Sequence, residues 1–274
     1  MRLKIRHRTT YRFDQPQVRL VQLARLTPGS FAGQTVIGWE IDVDCDARLR
    51  PTRDGYGNEI TMIYVDGPLE ALTIEVAGDV LTEDRAGVVR GAAEPLQSAV
   101  FLRSSPLTKA DAAIVALADD AHHAADNPLG RLHALNGMLA DRMRFDAGGM
   151  DVRRTGAEAL SMGHGVCQDF THVFVAAARE MGIPARYVSG HLFRRDGADE
   201  QPAAHAWAEA CVEDLGWVGF DSANGISPDD AYVRVAVGLD YREAAPIAGA
   251  RTGMGEETLD VAVSVTQSGY QRQS

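Results

Sequence analysis

The segment Gly163-His164-Gly165-Val166-Cys167-Gln168-Asp169-Phe170 begins the clearest helical pattern of the chain. Apolar residues then recur at three- and four-residue steps, namely Phe170, Val173, Phe174, Ala177 and Met181. This spacing predicts a helix with one buried face. Gly182 can end that helix in the left-handed conformation, and Pro184 prevents its continuation. We therefore expect Cys167 in the first turn of a buried helix.

The first turn of a helix favours an anion, because its N–H groups are unpaired and the positive end of the helix dipole lies there. A cysteine at that position is expected to react as the thiolate. The backbone N–H of Cys167 or Gln168 could also face the oxyanion that forms during attack on a carbonyl. The alternative is a small apolar core residue, since Cys167 lies three residues before Phe170.

A histidine and an aspartate follow, in the segments His205-Ala206-Trp207 and Phe220-Asp221, which both have strand-like sequence. If the loop joining these two strands has an odd number of residues, His205 and Asp221 project from the same face of the sheet. The alternatives are a core histidine with satisfied hydrogen bonds and an aspartate that only closes a turn with Asn224. A thiol, an imidazole and a carboxylate together are the groups that thiol acyl transfer needs.

Helical patterns followed by strand patterns make the second half of the chain α+β. The first helix is predicted to be capped by Thr108, with Asp111 three residues later, and two more helices cover 128–143 and 157–162. Strands are predicted at 186–193, 205–212, 217–221, 234–238 and 259–265. This order predicts a core in which helices pack on an antiparallel sheet.

The first part of the chain alternates apolar and polar residues, beginning with Leu3, Ile5 and His7 on one strand face. Further strands are predicted at 36–43, 60–65 and 72–76, with a turn at Asp66-Gly67-Pro68 between the last two. Short strands separated by turns predict a small β-sandwich-like domain. We therefore divide the chain into a β-rich N-terminal domain (1–85), a linker or crossover (86–107) and an α+β core (108–274).

The composition is that of a soluble globular protein: 274 residues, 45% hydrophobic and 24% charged, with a formal net charge of -11. The acidic balance, without a basic run, argues against a nucleic-acid partner. Cys45, Cys167 and Cys211 are too few and too widely spaced for a disulfide framework. No signal-like or bilayer-spanning apolar run is present, so we expect a cytoplasmic protein without a membrane partner. The pattern does not indicate an oligomeric state.

A zinc site built from Cys167, His205 and Asp221 is an alternative use of the same three residues. However, the chain has no close ligand pair of the CxxC or HxxxH type. It also has no Asp-rich loop of the EF-hand type, so calcium activation is not indicated. We therefore expect no metal and no cofactor.

These motifs together resemble those of bacterial transglutaminase-like proteins, which belong to the papain-like thiol superfamily. The resemblance covers nearly the whole chain and rests on five segments: Gly165–Phe170, Ile183–Gly190, His205–Trp207, Gly216–Asp221 and Arg234–Gly238. It implies a papain-like, transglutaminase-like α+β core, preceded by the small N-terminal β domain that is common in the family. Thr171 and Leu239 depart from the family pattern, and no tryptophan before Cys167 matches the one that assists the oxyanion in animal transglutaminases.

The resemblance implies that Cys167 is the nucleophile, His205 the proton-transfer residue and Asp221 the residue that orients it. Gln168 and Trp207 are candidates for lining the site or holding the oxyanion. The implied activity is acyl transfer at amide or peptide bonds through a thioester, and the bacterial resemblance favours a cysteine protease or amidase acting on a peptide or protein.

Three alternatives stay open. One is a protein-glutamine transglutaminase, which has the same triad but passes the acyl group to an amine. Another is a non-catalytic peptide-binding module on this fold, since a fold does not determine a function. An arylamine acetyltransferase is the third, although its expected Gly-Gly-x-Cys-x-Glu context is absent around Cys167.

Overall fold

A computed structural model describes residues 1–146, 148 and 151–268, and this part of the chain forms sheets of seven, five and two strands with five α-helices. The strands of the first half are β1 (Arg2–Ala24), β2 (Gln34–Val43), β3 (Arg48–Arg53), β4 (Glu59–Thr82) and β5 (Val88–Val89). The remaining strands are β6 (Arg144–Phe145), β7 (His164–Gly165), β8 (Ala185–Leu192), β9 (Glu200–Gln201), β10 (His205–Val212), β11 (Gly216–Phe220), β12 (Tyr232–Gly238), β13 (Ile247–Thr252) and β14 (Glu257–Gln267). The helices are α1 (Ala112–His123), α2 (Pro128–Arg142), α3 (Gly156–Met162), α4 (Cys167–Glu180) and α5 (Tyr241–Ala244).

The first sheet has the strand order β2-β4-β1-β14-β9, with β13 added to β1 and β3 added to β4. Its long strand β1 buries Leu3, Ile5 and His7 on one face, as the alternation predicts. The irregular pairing near Gln17 divides the long strands β1 and β4 into two halves. Tyr11 and Leu72 lie in one half, Leu20 and Ile63 lie in the other, and all four belong to one buried cluster. The two halves of this sheet therefore enclose one core, in a sandwich-like arrangement.

The turn predicted at Asp66-Gly67-Pro68 is wrong, because β4 runs through it without a break. The pairing of β1 with β4 changes register around Gln17, on the strand opposite. A Cβ atom on Gly67 would lie 1.9 Å from the carbonyl oxygen of Gln17, so only glycine allows this close approach. Glycine and proline mark a local irregularity between two long strands here, and the predicted strands 60–65 and 72–76 are parts of one element.

The last strands of the chain return to the first sheet. Strands β13 and β14 both pair antiparallel with β1. The strand predicted at 259–265 is therefore present, but it pairs with β1 and β9 in the first sheet and not with the strands that carry His205 and Asp221. The division at residues 85 and 107 stays a prediction, to which the structure adds that both ends of the chain build the first sheet.

The second sheet has the order β12-β8-β10-β11-β5, and its named pairs are antiparallel. Helix α4 packs on one face, where Phe170 and Phe174 meet Ala208 and Ala210 of β10. The structure thus confirms the α+β prediction and the helix over 128–143. Helix α1 begins later than predicted: Asp111 is its N-cap and accepts the N–H of Ile114 at 2.9 Å.

No helix in the described part of the chain is long and apolar enough to cross a membrane.

Two buried arginines attach the segment 86–107 to the second sheet. Arg186 of β8 forms two hydrogen bonds to Glu94, at 2.7 and 2.9 Å, and a third to Glu209 of β10. Arg179 of α4 donates to the carbonyl oxygen of Phe101 at 2.9 Å. The segment is irregular, as predicted, but it is packed against the core through charged contacts that replace the hydration of the buried groups.

Two side-chain amides connect the first sheet to the outer edge of β12. Gln34 donates to the carbonyl oxygen of Arg234 and accepts the N–H of Arg234, each at 2.8 Å. Asn58 makes the same pair of contacts with Val237, at 2.7 and 2.8 Å. These amides satisfy backbone groups that an edge strand otherwise leaves unpaired, and they hold β12 beside β8.

Candidate active site

Cys167 is the first residue of α4, as predicted, and the turn before it is tightly held. Asp169, which is fully buried, accepts the N–H of Val166 and an N–H of Arg154, both at 2.9 Å. A Cβ atom on Gly165 would lie 2.4 Å from the Asp169 carboxylate, so this position needs glycine. The buried carboxylate therefore sets the path of the chain into the nucleophile candidate, a function that the sequence analysis did not assign to it.

The thiol of Cys167 is half-buried against the second sheet. It packs against a small cluster formed by Tyr187 of β8, Ala206 of β10 and Ala244 of α5. The carbonyl oxygen of Cys167 accepts the hydroxyl of Thr171 at 2.7 Å. In the first turn the N–H of Asp169 donates to the carbonyl oxygen of Val166 at 2.9 Å. The N–H groups of Cys167 and Gln168 have no acceptor within the described residues and can face an anion.

His205 and Asp221 lie on the same sheet face, as the strand parity predicts for an odd loop. The strands pair Ala208 with Phe220 and Val212 with Gly216, which leaves three residues, 213–215, in the loop. Nε2 of His205 lies 2.6 Å from Oδ2 of Asp221. Since the carboxylate can only accept, Nε2–H is the donor, and Nδ1 is the ring atom left for Cys167.

Asp221 is almost fully buried and accepts five hydrogen bonds. Its Oδ2 atom accepts from His205 Nε2, Asn224 Nδ2 and the Tyr232 hydroxyl at 2.6, 2.7 and 2.8 Å. Its Oδ1 atom accepts the N–H groups of Ala223 and Asn224 at 3.1 and 3.2 Å. Burial would raise the pKa of Asp221, but the His205 charge and these side-chain donors hold it below its usual value. Asp221 therefore forms the turn predicted as its alternative role and also contacts the imidazole.

His205 is held in its protonated form. Burial would lower the pKa of His205, but the charges of Asp221 and Cys167, and hydrogen bonds to both, raise that pKa to about 10. The imidazole is therefore an imidazolium at neutral pH, with a carboxylate on one ring nitrogen and the thiol on the other. An imidazolium next to a thiol is the arrangement in which a histidine can pass a proton to the leaving group of a cysteine nucleophile.

Trp207 and Gln168 occupy different surroundings. The Trp207 ring is buried, 6.2 Å from the His205 ring at 29°, and meets the Tyr232 ring edge-on at 5.4 Å. The Gln168 amide donates to the carbonyl oxygen of Asp151 at 3.4 Å, so its side chain supports the segment before α3. Trp207 thus contacts the imidazole directly, while a role for Gln168 at the oxyanion stays a prediction.

The structure adds Asn224 and Tyr232 to the residues found by sequence reasoning. Asn224 was considered only as a turn residue, and Tyr232 was not singled out, because nothing local relates a tyrosine of β12 to the end of β11. His172 of α4 is fully buried and accepts the N–H of Tyr241 at 3.2 Å. Within the described residues, no cluster of three or more His, Cys, Asp or Glu side chains is arranged to hold a metal ion.

Known proteins share this architecture and these segments. Residues 115–222 match the transglutaminase-like superfamily core, and residues 3–81 match the bacterial transglutaminase-like N-terminal region. An uncharacterized protein of Mycobacterium leprae is 31% identical over 97% of this chain and 99% of its own length. The chain belongs to the transglutaminase-like superfamily. The family assignment made from the motifs is thereby confirmed.

More distant relatives extend over the same length. An uncharacterized protein of Mycobacterium tuberculosis is 28% identical over 96% of this chain and 92% of its own length. The solved structure of "a Putative Cysteine Protease from Cytophaga hutchinsonii" aligns with a TM-score of 0.77 and 19% identity, covering 99% of this chain and 92% of that one. At this identity the likeness shows a shared fold and leaves the reaction to the site itself.

Proposed function

We propose that this transglutaminase-like protein is a thiol-dependent hydrolase of amide or peptide bonds, with Cys167, His205 and Asp221 as its catalytic triad. The observation that carries the proposal is the 2.6 Å contact of His205 Nε2 with the buried Asp221 carboxylate, on the strand that also packs against Cys167. This contact and the nearby thiol raise the pKa of His205 to about 10. A structural histidine that was merely buried would have a lowered pKa, as His172 does, at about 4. The geometry therefore supports proton transfer at this pair more than a packing function.

The first half of the reaction forms a thioester. The sulfur of Cys167 bonds to the carbonyl carbon, and the π electrons of the carbonyl move to its oxygen. When the carbonyl re-forms, the C–N bond breaks and the proton on Nδ1 of His205 moves to the leaving nitrogen. The products are a free amine, a thioester on Cys167 and a neutral His205.

The second half releases the acyl group. Nδ1 of His205 takes a proton from water as the water oxygen bonds to the thioester carbon, and the C–S bond then breaks. A carboxylic acid leaves, and the thiolate and imidazolium are restored. Asp221 stays ionised throughout, because five donors surround it, and it holds Nε2–H so that Nδ1 always faces the reacting atoms.

The triad alone does not select water over an amine, so the acceptor is tested directly. The protein is incubated with a mixture of peptides in water enriched in ¹⁸O, with and without an added primary amine, and products are read by mass spectrometry. We expect cleaved peptides that carry one ¹⁸O in the new carboxylate, whether or not the amine is present. Amine adducts on glutamine side chains as the dominant product would instead support the transglutaminase alternative, and no product of either kind would favour the peptide-binding module.

A further inference from the structure

The proposed reaction needs a hydrogen-bond donor for the oxyanion, and the structure holds an uncommitted one beside the thiol. Tyr241, the first residue of α5, packs against the same buried residues as Cys167, namely Tyr187, Ala206 and Ala244. The Tyr241 side chain is half-buried, so part of it stays open to solvent. Within residues 1–146, 148 and 151–268, its hydroxyl has no hydrogen-bond partner.

The strand order brings Tyr241 and His205 to the thiol from different strands. In the second sheet β8 lies between β12 and β10. Cys167 packs over Tyr187 of β8 and Ala206 of β10, while His205 begins β10. Tyr241 follows β12, and α5 folds back over β8, where the carbonyl oxygen of Ala244 accepts the Ser189 hydroxyl at 2.6 Å. The phenol and the imidazole therefore come to the thiol from different strands, and both can lie beside a carbonyl that reacts with it.

The backbone and ring of Tyr241 are both held in place. Its N–H donates to Nε2 of His172 at 3.2 Å. Burial lowers the pKa of His172 to about 4, so the imidazole is neutral and its Nε2 can accept. The Tyr241 ring also meets the Tyr187 ring edge-on, with centroids 6.2 Å apart. Preorganisation of this kind is what makes a donor effective in a transition state.

Burial, together with the nearby Cys167, keeps the Tyr241 hydroxyl protonated. Burial, followed by the negative charge of Cys167, raises the pKa of Tyr241 above its ordinary value. At neutral pH the phenol is therefore a donor and not a phenolate. Tyr187 also lies near the thiol, but it is only 2% exposed, so a substrate carbonyl has little access to it.

We propose that Tyr241 is a catalytic residue of this site: its hydroxyl donates a hydrogen bond to the carbonyl oxygen while that oxygen carries the negative charge of the tetrahedral intermediate. The N–H groups of Cys167 and Gln168 at the start of α4 supply the complementary backbone donors. The inference rests on the proposed hydrolase function. In animal transglutaminases a tryptophan before the nucleophile assists the oxyanion, and no tryptophan before Cys167 matches it. The proposal gives this role to Tyr241.

The test is Tyr241→Phe, which removes only the hydroxyl, assayed on the peptide that the wild type cleaves fastest. Loss of one oxyanion donor typically lowers kcat by about 10²- to 10³-fold, so we expect a fall of that size with KM changed by less than about threefold. The rate of Cys167 alkylation by iodoacetamide should stay at the wild-type value, since alkylation forms no oxyanion. Binding of the matching peptide aldehyde, whose thiol adduct resembles the intermediate, should weaken by about the same factor as kcat.

Tyr56→Phe is the matched control. The Tyr56 hydroxyl donates to Glu243, so this variant removes a phenol that braces α5 but does not adjoin the thiol cluster. We expect it to keep kcat within a few-fold of the wild type. An active wild type with an equally active Tyr241→Phe variant would overturn the assignment of Tyr241 alone, as would a variant whose alkylation slows in proportion to kcat. A wild type without any turnover would overturn the hydrolase proposal itself.

Discussion

Replacement of Cys167 by Ala is expected to remove peptide hydrolysis to the detection limit, a loss of about 10⁵-fold or more in kcat. The proposed reaction passes through a bond to this sulfur, and loss of a covalent nucleophile in a triad costs roughly 10⁶-fold in comparable enzymes. Stability should change little, because Cys167 is half-buried and contributes one small group to its cluster. The measurement is ¹⁸O incorporation into the product acid, quantified against the wild type.

Cys211→Ala is the matched control for this prediction. Cys211 is also a free, half-buried cysteine and lies on β10, the strand that carries His205. Its variant should keep wild-type turnover. Equal activity in Cys167→Ala and the wild type would show that the sulfur takes no part in the reaction.

The second large effect is expected for Asp221→Asn, whose kcat should fall by about 10²- to 10⁴-fold. An asparagine has a single acceptor oxygen, whereas Asp221 accepts three donors at Oδ2 and two at Oδ1. In either orientation of the asparagine amide, its NH₂ group points at N–H or O–H groups that need an acceptor. The side chain therefore no longer holds Nε2–H of His205 in a fixed position. Loss of the negative charge also lowers the pKa of His205 from about 10 and weakens the ion pair with the thiolate.

A lower kcat must be separated from loss of folding. Circular dichroism and thermal unfolding of Asp221→Asn identify any structural loss, and kcat is compared only where the variant is folded. Asp66→Asn is the control, because Asp66 of the first sheet contacts Arg19 at 2.8 Å in a solvent-exposed pair. A folded Asp221→Asn protein with wild-type kcat would contradict an orienting role for Asp221.

Much of the candidate site follows from local periodicity. The steps from Phe170 to Met181 define α4 and place Cys167 at its start, because a helix that packs on a sheet must bury one stripe. The two-residue period of strands likewise places His205 and Asp221 on one face once the loop between them is odd. Both inferences depend only on neighbours in sequence, which is why they could be made before the fold was known.

The residues that complete the site could not be found in this way. Tyr232 and Tyr241 reach the triad only because β12 pairs with β8, a contact between segments about 45 residues apart. Similarly, nothing local shows that Glu257–Gln267 returns to pair with β1. Long-range pairing of this kind is set by the summed packing of the core, and no single motif encodes it.

Glycine and proline were misleading where the sheet is irregular. Gly67 and Pro68 have the composition of a turn, yet they lie inside the 24-residue strand β4, opposite the irregular pairing at Gln17. Thr108 also resembles a helix cap, and it belongs to a tight turn with Ser105 while Asp111 caps α1. Both predictions, the turn at 66–68 and the helix cap at Thr108, were wrong, because tertiary contacts decided the structure at these residues.

The most direct test of the account is the pH dependence of Cys167 alkylation by iodoacetamide, read by intact mass, in the wild type and in His205→Ala. Cys45 serves as the internal reference, because burial and two neighbouring aspartates raise its pKa. The account predicts rapid labelling of Cys167 well below pH 8 in the wild type, since an imidazolium with a pKa of about 10 stays charged there and stabilises the thiolate. It also predicts that His205→Ala slows this labelling to the rate of an ordinary thiol. Labelling of Cys167 no faster than an ordinary thiol, and unaffected by the loss of His205, would contradict the thiolate–imidazolium pair.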